Sequence, residues 1–87
     1  MQRTHELNSF VGSFEHLVSG AKRSDIRAND RGYQVGDVVT FLEGWPENGE
    51  FVYTGRKISG IISHIDTFGC LDGFVNLSLK RMGLLVV

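Results

Sequence analysis

The segment GAKRSDIRANDR, residues 20–31, concentrates charge where a small domain has least room to bury it. Four cationic side chains and two carboxylates surround a single apolar residue. Side chains alternate between the two faces of a β-strand, so a strand over Ser24–Arg27 would project Asp25 and Arg27 together and point Ile26 into a core. The segment therefore predicts a polar ligand site on one face of a short strand.

The residues before this segment have the spacing of a helix face. The apolar positions are Phe10, Val11, Phe14, Leu17 and Val18. Asn8 or Ser9 is available to cap the helix, and Gly20 to end it. A weaker pattern at His5–Leu7 predicts a first short strand. The helix is expected to deliver the chain into the charged segment, and its apolar face to pack on the core.

The residues after the charged segment predict strands separated by turns. Gly36-Asp37 is a turn signal before Val38–Leu42, whose β-branched and aromatic residues favour a strand. Pro and Asn-Gly mark Trp45–Glu50 as a loop.

The second half of the chain predicts two further strand regions. Phe51–Tyr53 and Arg56–Asp66 form either a hairpin or one long bent strand, and a bulge at Gly60 explains why the isoleucines change phase there. Phe74–Leu79 alternates as a final strand. With one helix near its start, the chain is expected to be α+β and mainly β, a small closed or nearly closed barrel.

Length and composition limit the possible functions. With 87 residues there is room for a single domain, 1–87, and its 41% hydrophobic content is ordinary for a globular protein. A net charge of −1 argues against a protein covered in duplex phosphate contacts, although residues 22–31 carry a local excess of positive charge. Cys70 is the only cysteine, and the three histidines are scattered. We expect a cytoplasmic protein with no metal site, no cofactor and no membrane association.

Six short motifs run nearly from end to end: THEL (4–7), GAKRSDIR (20–27), NDR (29–31), VGD (35–37), YTGR (53–56) and LDGFV (71–75). Their order resembles the ASCH superfamily, and within it the small bacterial and phage group described as DUF3850. The resemblance implies a PUA-like β-barrel, a cleft lined by a Gly-x-Lys-x-x-Glu-x-Arg signature, and recognition of RNA or a modified nucleotide.

The chain departs from this family pattern at one position of the signature. Asp25 stands where the family acid is usually Glu, one methylene longer. The ASCH amidohydrolases that deacetylate N4-acetylcytidine resemble this chain at Lys22, but carry Thr at the position of Asp25 and use a Glu from a later helical segment. The sequence offers no counterpart to that segment.

Lys22, Asp25 and Arg27 are the main candidates for a binding site. Arg27 would offer a planar fork to a phosphate or base edge, Asp25 would accept from an amine or orient Arg27, and Lys22 would add a point charge. Asn29 and Tyr33 complete the predicted ligand-binding set. The simpler alternative is a solvated ion-pair network on a strand.

Aromatic residues decide whether a base can stack. Tyr33, Trp45 and Tyr53 each offer a ring, although a Trp at a strand end more often covers the rim of a core.

The sequence thus predicts a module that binds RNA or a nucleotide-like ligand. The first alternative is an amidohydrolase acting on an acylated nucleobase, with Lys22 and Asp25 as catalytic residues. The second is a phage or bacterial protein-interaction module. The apolar tail Leu84–Val87 would add an edge strand, pack on the barrel or form a homodimer.

Overall fold

All strands of the domain belong to one sheet. The computed structural model describes the backbone of residues 2–86 and the side chains of residues 2–84. Its elements are β1 (Thr4–Phe10), α1 (Val11–Ser19), β2 (Ser24–Ala28), β3 (Val38–Glu47), β4 (Glu50–Asp66) and β5 (Phe74–Val86). The fold is mainly β with one short helix, as the sequence predicts. No helix of the described residues is long and apolar enough to cross a membrane.

The sheet has the strand order β1-β3-β4-β5-β2 and two open edges. β1 pairs with β3 in parallel, and the other neighbours are antiparallel. Within residues 2–86 no backbone ladder joins β1 to β2, so the sheet is not closed and the predicted barrel is not shown. One side chain spans the opening instead: Nη2 of Arg27 in β2 donates to the backbone oxygen of Asn8 in β1 at 2.7 Å.

The helix packs one face onto the sheet. Phe14 and Leu17 are buried in a core with residues of β3, β4 and β5, which include Val39, Phe41, Ile62 and Leu77. Gly20 ends α1 in the left-handed conformation with φ 84°, as predicted. The predicted caps are wrong, because Asn8 and Ser9 are paired with β3 and the helix begins after Phe10 without a side-chain cap.

The segment Trp45–Glu50 is a hairpin and not the predicted loop. β3 continues through Glu47, and the chain reverses at Asn48-Gly49, whose φ angles of 51° and 81° are both positive. Two positive φ angles are what a two-residue type I′ turn requires, and Asn-Gly is its preferred sequence. The predicted loop therefore shortens to two residues.

β4 is one strand of 17 residues. The sequence allows either a hairpin or one long bent strand here, and the structure has the long strand. Its register with β5 shifts between Ser59 and Ile61, which confirms the irregularity predicted at Gly60. A Cβ at Gly60 would lie 2.2 Å from Sδ of Met82, so a larger residue there would require the Met82 side chain to move.

The final strand is longer than predicted. Residues 80–86 continue β5 and pair with residues 56–61 of β4, so the tail is part of the sheet. The side chain of Leu84 is exposed. The side chains of residues 85–87 lie outside the described part of the chain, and the homodimer through this tail stays a prediction.

A buried carboxylate fixes the start of β1. Asp37 accepts hydrogen bonds from Nε2 of His5 at 2.9 Å and from the backbone N–H groups of Arg3 and Gln34, both at 3.2 Å. The hydrogen bond from His5 lowers the pKa of Asp37 by more than burial raises it. The β1 edge is thereby tied to the turn before β3.

A second buried carboxylate clamps the helix to the sheet. Glu43 accepts from Nε and Nη2 of Arg56 at 2.9 and 2.8 Å, and from the hydroxyl of Thr54 at 2.6 Å. The hydrogen bonds from Arg56 lower the pKa of Glu43. Arg56 also pairs with Glu15 of α1, and its guanidinium carbon lies 5.0 Å from the ring centre of Phe14. One guanidinium thus joins α1, β3 and β4.

These two carboxylates make stability fall in acid. Because the pKa of each is lower in the folded than in the unfolded chain, their contribution is fully present above the unfolded pKa, about 4, and is lost as the pH falls through the folded value. We expect the free energy of unfolding to fall below about pH 4 in urea titrations followed by Trp45 fluorescence.

Single substitutions test whether Asp37 and Glu43 cause this loss of stability in acid. Asp37→Asn and Glu43→Gln should each lose about 3 kcal/mol at pH 7 and flatten the acid slope. The control Glu50→Gln changes an exposed carboxylate and should leave both the free energy of unfolding at pH 7 and its acid slope unchanged. An unaltered slope in both buried-site variants would contradict the assignment.

Candidate functional site

Strand β2 presents its charged residues inward. Asp25 and Arg27 share one face, as predicted, but this is the covered face: Asp25 is only 7% exposed, whereas Ile26 is 61% exposed. The prediction that Ile26 enters the core is wrong. The strand buries a carboxylate in place of an isoleucine because two cations compensate the carboxylate's charge there.

The carboxylate of Asp25 accepts one hydrogen bond at each oxygen. Nζ of Lys22 donates to Oδ1 at 2.9 Å, and Nε of Arg27 donates to Oδ2 at 2.5 Å. Lys22 also donates to the hydroxyl of Ser13 on α1 at 2.9 Å. The three predicted residues therefore meet at one point, where β2 lies beside the helix.

Arg27 reaches from this point across the gap between the sheet edges. Beyond its bond to Asn8, its guanidinium carbon lies 5.9 Å from the ring centre of Phe41. Within the described residues it makes two hydrogen bonds, through Nε and one Nη2 proton. Arginine has five N–H donors, so most of the fork is left for a ligand.

A cleft of about 490 Å³ lies between the β1 and β2 edges. Asp25 and Arg27 form its charged wall, and Ser13 adds a hydroxyl. Three aromatic residues also line it, Phe10, Phe51 and Phe74, together with Asn8, Ser9, Ile26 and Ala28. Lys22 is not among the lining residues, and it acts on the cleft through Asp25 and Ser13.

A second hollow of about 410 Å³ shares Arg27 with this cleft. Its other polar lining residues are Glu6, Asn8, Arg31 and Tyr53. Arg27 therefore lies where two concave surfaces meet, and Arg31 lines the second of them. The second hollow thus contains two cationic side chains, Arg27 and Arg31, together with the carboxylate of Glu6.

The remaining predicted ligand residues lie at the margin. The side chain of Asn29 is exposed and lines neither hollow, while its backbone N–H donates to Gly73 at 2.8 Å. Tyr33 is buried, with its ring 4.8 Å from that of His5, and it lines a smaller hollow with Arg27 and Arg31. Burial raises the pKa of the Tyr33 hydroxyl, and the charge of Arg31 opposes that rise. Tyr33 is thus a wall residue and offers no open ring face.

The structure separates the other two aromatic candidates. Tyr53 lies at the site, where its hydroxyl donates to Oδ1 of Asn8 at 2.9 Å. Trp45 lines neither hollow, and its indole N–H donates to Glu47 at 3.0 Å.

Sequence reasoning missed the three phenylalanines that line the cleft. The available signal was the alternation of Phe51 with Tyr53 directly after Asn48-Gly49, which puts both side chains on one face of a hairpin strand.

Within residues 2–84, no three His, Cys, Asp or Glu side chains come together as a potential metal site.

A comparison with known proteins identifies the family to which the chain belongs. Residues 4–79, which include both cleft strands, match the family described as "Domain of unknown function (DUF3850)". The chain belongs to this family. It is also similar to the "Uncharacterized 12.9 kDa protein in GpA 3'region" of Escherichia phage P2, with 32% identity over 78 residues, 88% of this chain and 68% of the phage protein. The predicted membership of DUF3850 is therefore confirmed, whereas the link to the ASCH superfamily stays a prediction.

The ion pairs at Asp25 generate a stability prediction. Asp25→Asn leaves Lys22 and Arg27 facing a neutral amide, and we expect it to lower the free energy of unfolding by about 2 kcal/mol in urea titrations. Asp25→Glu keeps the charge and should recover at least part of the loss. The control is Asp30→Asn, since the carboxylate of Asp30 is exposed and lies 4.0 Å from Arg31. Equal stability of Asp25→Asn and Asp30→Asn would show that the buried pairs do not matter.

Proposed function

We propose that this DUF3850 protein is a PUA-like module that binds RNA or a nucleotide-like ligand in the cleft between β1 and β2. The observation that carries the proposal is the guanidinium of Arg27, held in the wall of an open cleft by a buried carboxylate. The cleft volume of about 490 Å³ is in the range of small-ligand sites.

Asp25 serves this site as the residue that orients Arg27. Both of its oxygens already accept hydrogen bonds, from Lys22 and Arg27, so the orienting role is favoured over direct contact with a ligand amine. Fixing the guanidinium before binding reduces the entropy that its side chain loses when the ligand arrives. The planar fork of Arg27 then binds a phosphate or the edge of a base.

The charge distribution favours a short contact with nucleic acid. Arg27 and Arg31 supply positive charge at the hollows, whereas the whole chain has a net charge of −1. A ligand with one or a few phosphates suits such a site better than a long duplex, which needs many cations.

The resemblance to the ASCH superfamily supports the same function. The family signature corresponds to Lys22, Asp25 and Arg27 in this chain, the three residues that meet beside the cleft. The open sheet, with its edges bridged by Arg27, is compatible with a PUA-like architecture that closes through side chains at this point.

The contacts of Lys22 favour binding over the amidohydrolase alternative. Its ammonium donates to both Ser13 and Asp25 and does not line the cleft. A general base must accept a proton from a group within its reach, and an ammonium held by Ser13 and Asp25 outside the cleft lining is poorly placed to do so.

Substitution of Arg27 tests the proposal. We expect Arg27→Gln to weaken binding of a random-sequence RNA hexamer about tenfold and to reduce the dependence of log K on log salt by about one phosphate contact. Fluorescence anisotropy at several salt concentrations measures both quantities.

The matched control is Lys80→Gln, which removes the same charge from an exposed residue of β5. It should retain nearly the affinity of the natural protein. Equal effects of the two substitutions would mean that binding follows net charge and not the cleft.

A further inference from the structure

Three aromatic side chains form a strip beside the cleft, in which partly buried Phe51 lies between exposed Phe10 and Tyr53. Phe10 ends β1, and Phe51 and Tyr53 lie at alternate positions of β4. The ring centres are 6.1 Å apart between Phe10 and Phe51, and 5.2 Å apart between Phe51 and Tyr53. Phe10 is 62% exposed and Tyr53 is 52% exposed. We call these three residues the aromatic strip.

The sheet is shaped to hold this strip. Gly44 pairs with Phe10 on one side and with Tyr53 on the other, next to a register shift in β3. A Cβ at Gly44 would lie 2.4 Å from the ring of Phe51 and 2.2 Å from the backbone oxygen of Val52. Only glycine leaves room for the Phe51 ring to lie there between its two neighbours.

The aromatic strip is not part of the hydrophobic core. The core consists of other residues, centred on Phe14, Phe41 and Ile62, and does not include any member of the strip. Contiguous apolar groups at the surface cost free energy in water and mark interaction sites when they line a concave surface. The strip is therefore a candidate contact surface for a ligand with apolar faces.

The aromatic strip and the two arginines, Arg27 and Arg31, border the same hollows. Phe10 and Phe51 line the cleft with Arg27, and Tyr53 lines the adjoining hollow with Arg27 and Arg31. A surface that carries aromatic rings and guanidinium groups suits a ligand in which flat apolar groups alternate with negative charges. Unpaired nucleotides have this chemistry, whereas the bases of a duplex are stacked on each other and withhold their faces.

We infer that the aromatic strip is a stacking platform for the unpaired bases of a single-stranded nucleic acid whose phosphates contact Arg27 and Arg31. The inference rests on the proposed function and narrows its ligand to a single strand of at least two nucleotides. An extended apolar peptide would also cover the rings, but it has no anion to offer the two guanidinium groups.

Competition binding tests this inference. A labelled random-sequence RNA hexamer is bound to the protein, then displaced by unlabelled hexamer, by the mixture of four mononucleotides, or by a 12-base-pair RNA duplex. We expect the hexamer to compete at least tenfold better than either of the other two.

The matched variants are Phe51→Leu and Phe10→Leu, which keep apolar bulk and remove the ring face. We expect each to weaken hexamer binding about tenfold. The control Phe68→Leu changes a phenylalanine that is 92% exposed and does not line the cleft, and it should bind as the natural protein does. Thermal unfolding midpoints close to that of the natural protein show that the variants are folded.

The outcomes separate this inference from the proposed function. If Arg27→Gln weakens binding while both strip variants bind the hexamer normally, the platform is wrong and the cleft remains the binding site. Equal competition by mononucleotides or duplex would likewise overturn the platform. If the natural protein binds neither hexamer nor mononucleotides, the proposed function fails together with the inference.

Discussion

The ion pairs of Asp25 with Lys22 and Arg27 determine how the charged strand sits in the fold. A carboxylate loses much of its hydration when it is buried, and only opposite charges with good hydrogen-bond geometry offset that loss. Here each oxygen accepts from one cation. Because both cations are attached to the same short segment, the pairs hold that face of β2 inward and leave Ile26 in solvent. The position of the Arg27 guanidinium follows from this arrangement.

Two further sets of polar contacts connect this local arrangement to the rest of the domain. Ser13 links Lys22 to α1, and the pairs of Arg56 with Glu15 and Glu43 hold α1 against the sheet. Arg56 makes three side-chain hydrogen bonds, to buried Glu43 and exposed Glu15, whereas Arg27 makes two hydrogen bonds among the described residues. The guanidinium of Arg56 joins α1, β3 and β4, whereas that of Arg27 also lines the cleft.

Features set by neighbouring residues were predictable from the sequence. The end of α1 at Gly20, the existence of β2 and the irregularity at Gly60 each depend on a few adjacent positions. The phase of β2 was not predictable, because alternation allows two orientations and the choice depends on the ion pairs of Asp25 and on the contact of Lys22 with Ser13 of α1. The loop predicted at Trp45–Glu50 failed for another reason: Pro46 was taken as a break, although Asn48-Gly49 alone makes the turn.

The candidate site likewise contains residues that the sequence predicts and residues that it does not. Lys22, Asp25 and Arg27 were found together because they lie within a few residues of one another. The aromatic strip was missed because the Phe51 ring depends on Gly44, which lies across the hairpin, and Phe10 joins it from another strand. Tyr33 was placed among the ligand residues for its nearness in sequence, yet its packing on His5 buries the ring. Contacts between distant segments decide these points.

The Nε–H signal of Arg27 in the NMR spectrum tests the central claim most directly. A proton donated to a buried carboxylate exchanges slowly with water, whereas the corresponding proton of exposed Arg81 should exchange fast. The account predicts a protected Arg27 signal in the free protein that shifts when the RNA hexamer is added, with Arg81 unchanged. An Arg27 signal that exchanges as fast as that of Arg81 and does not respond to the hexamer would contradict it.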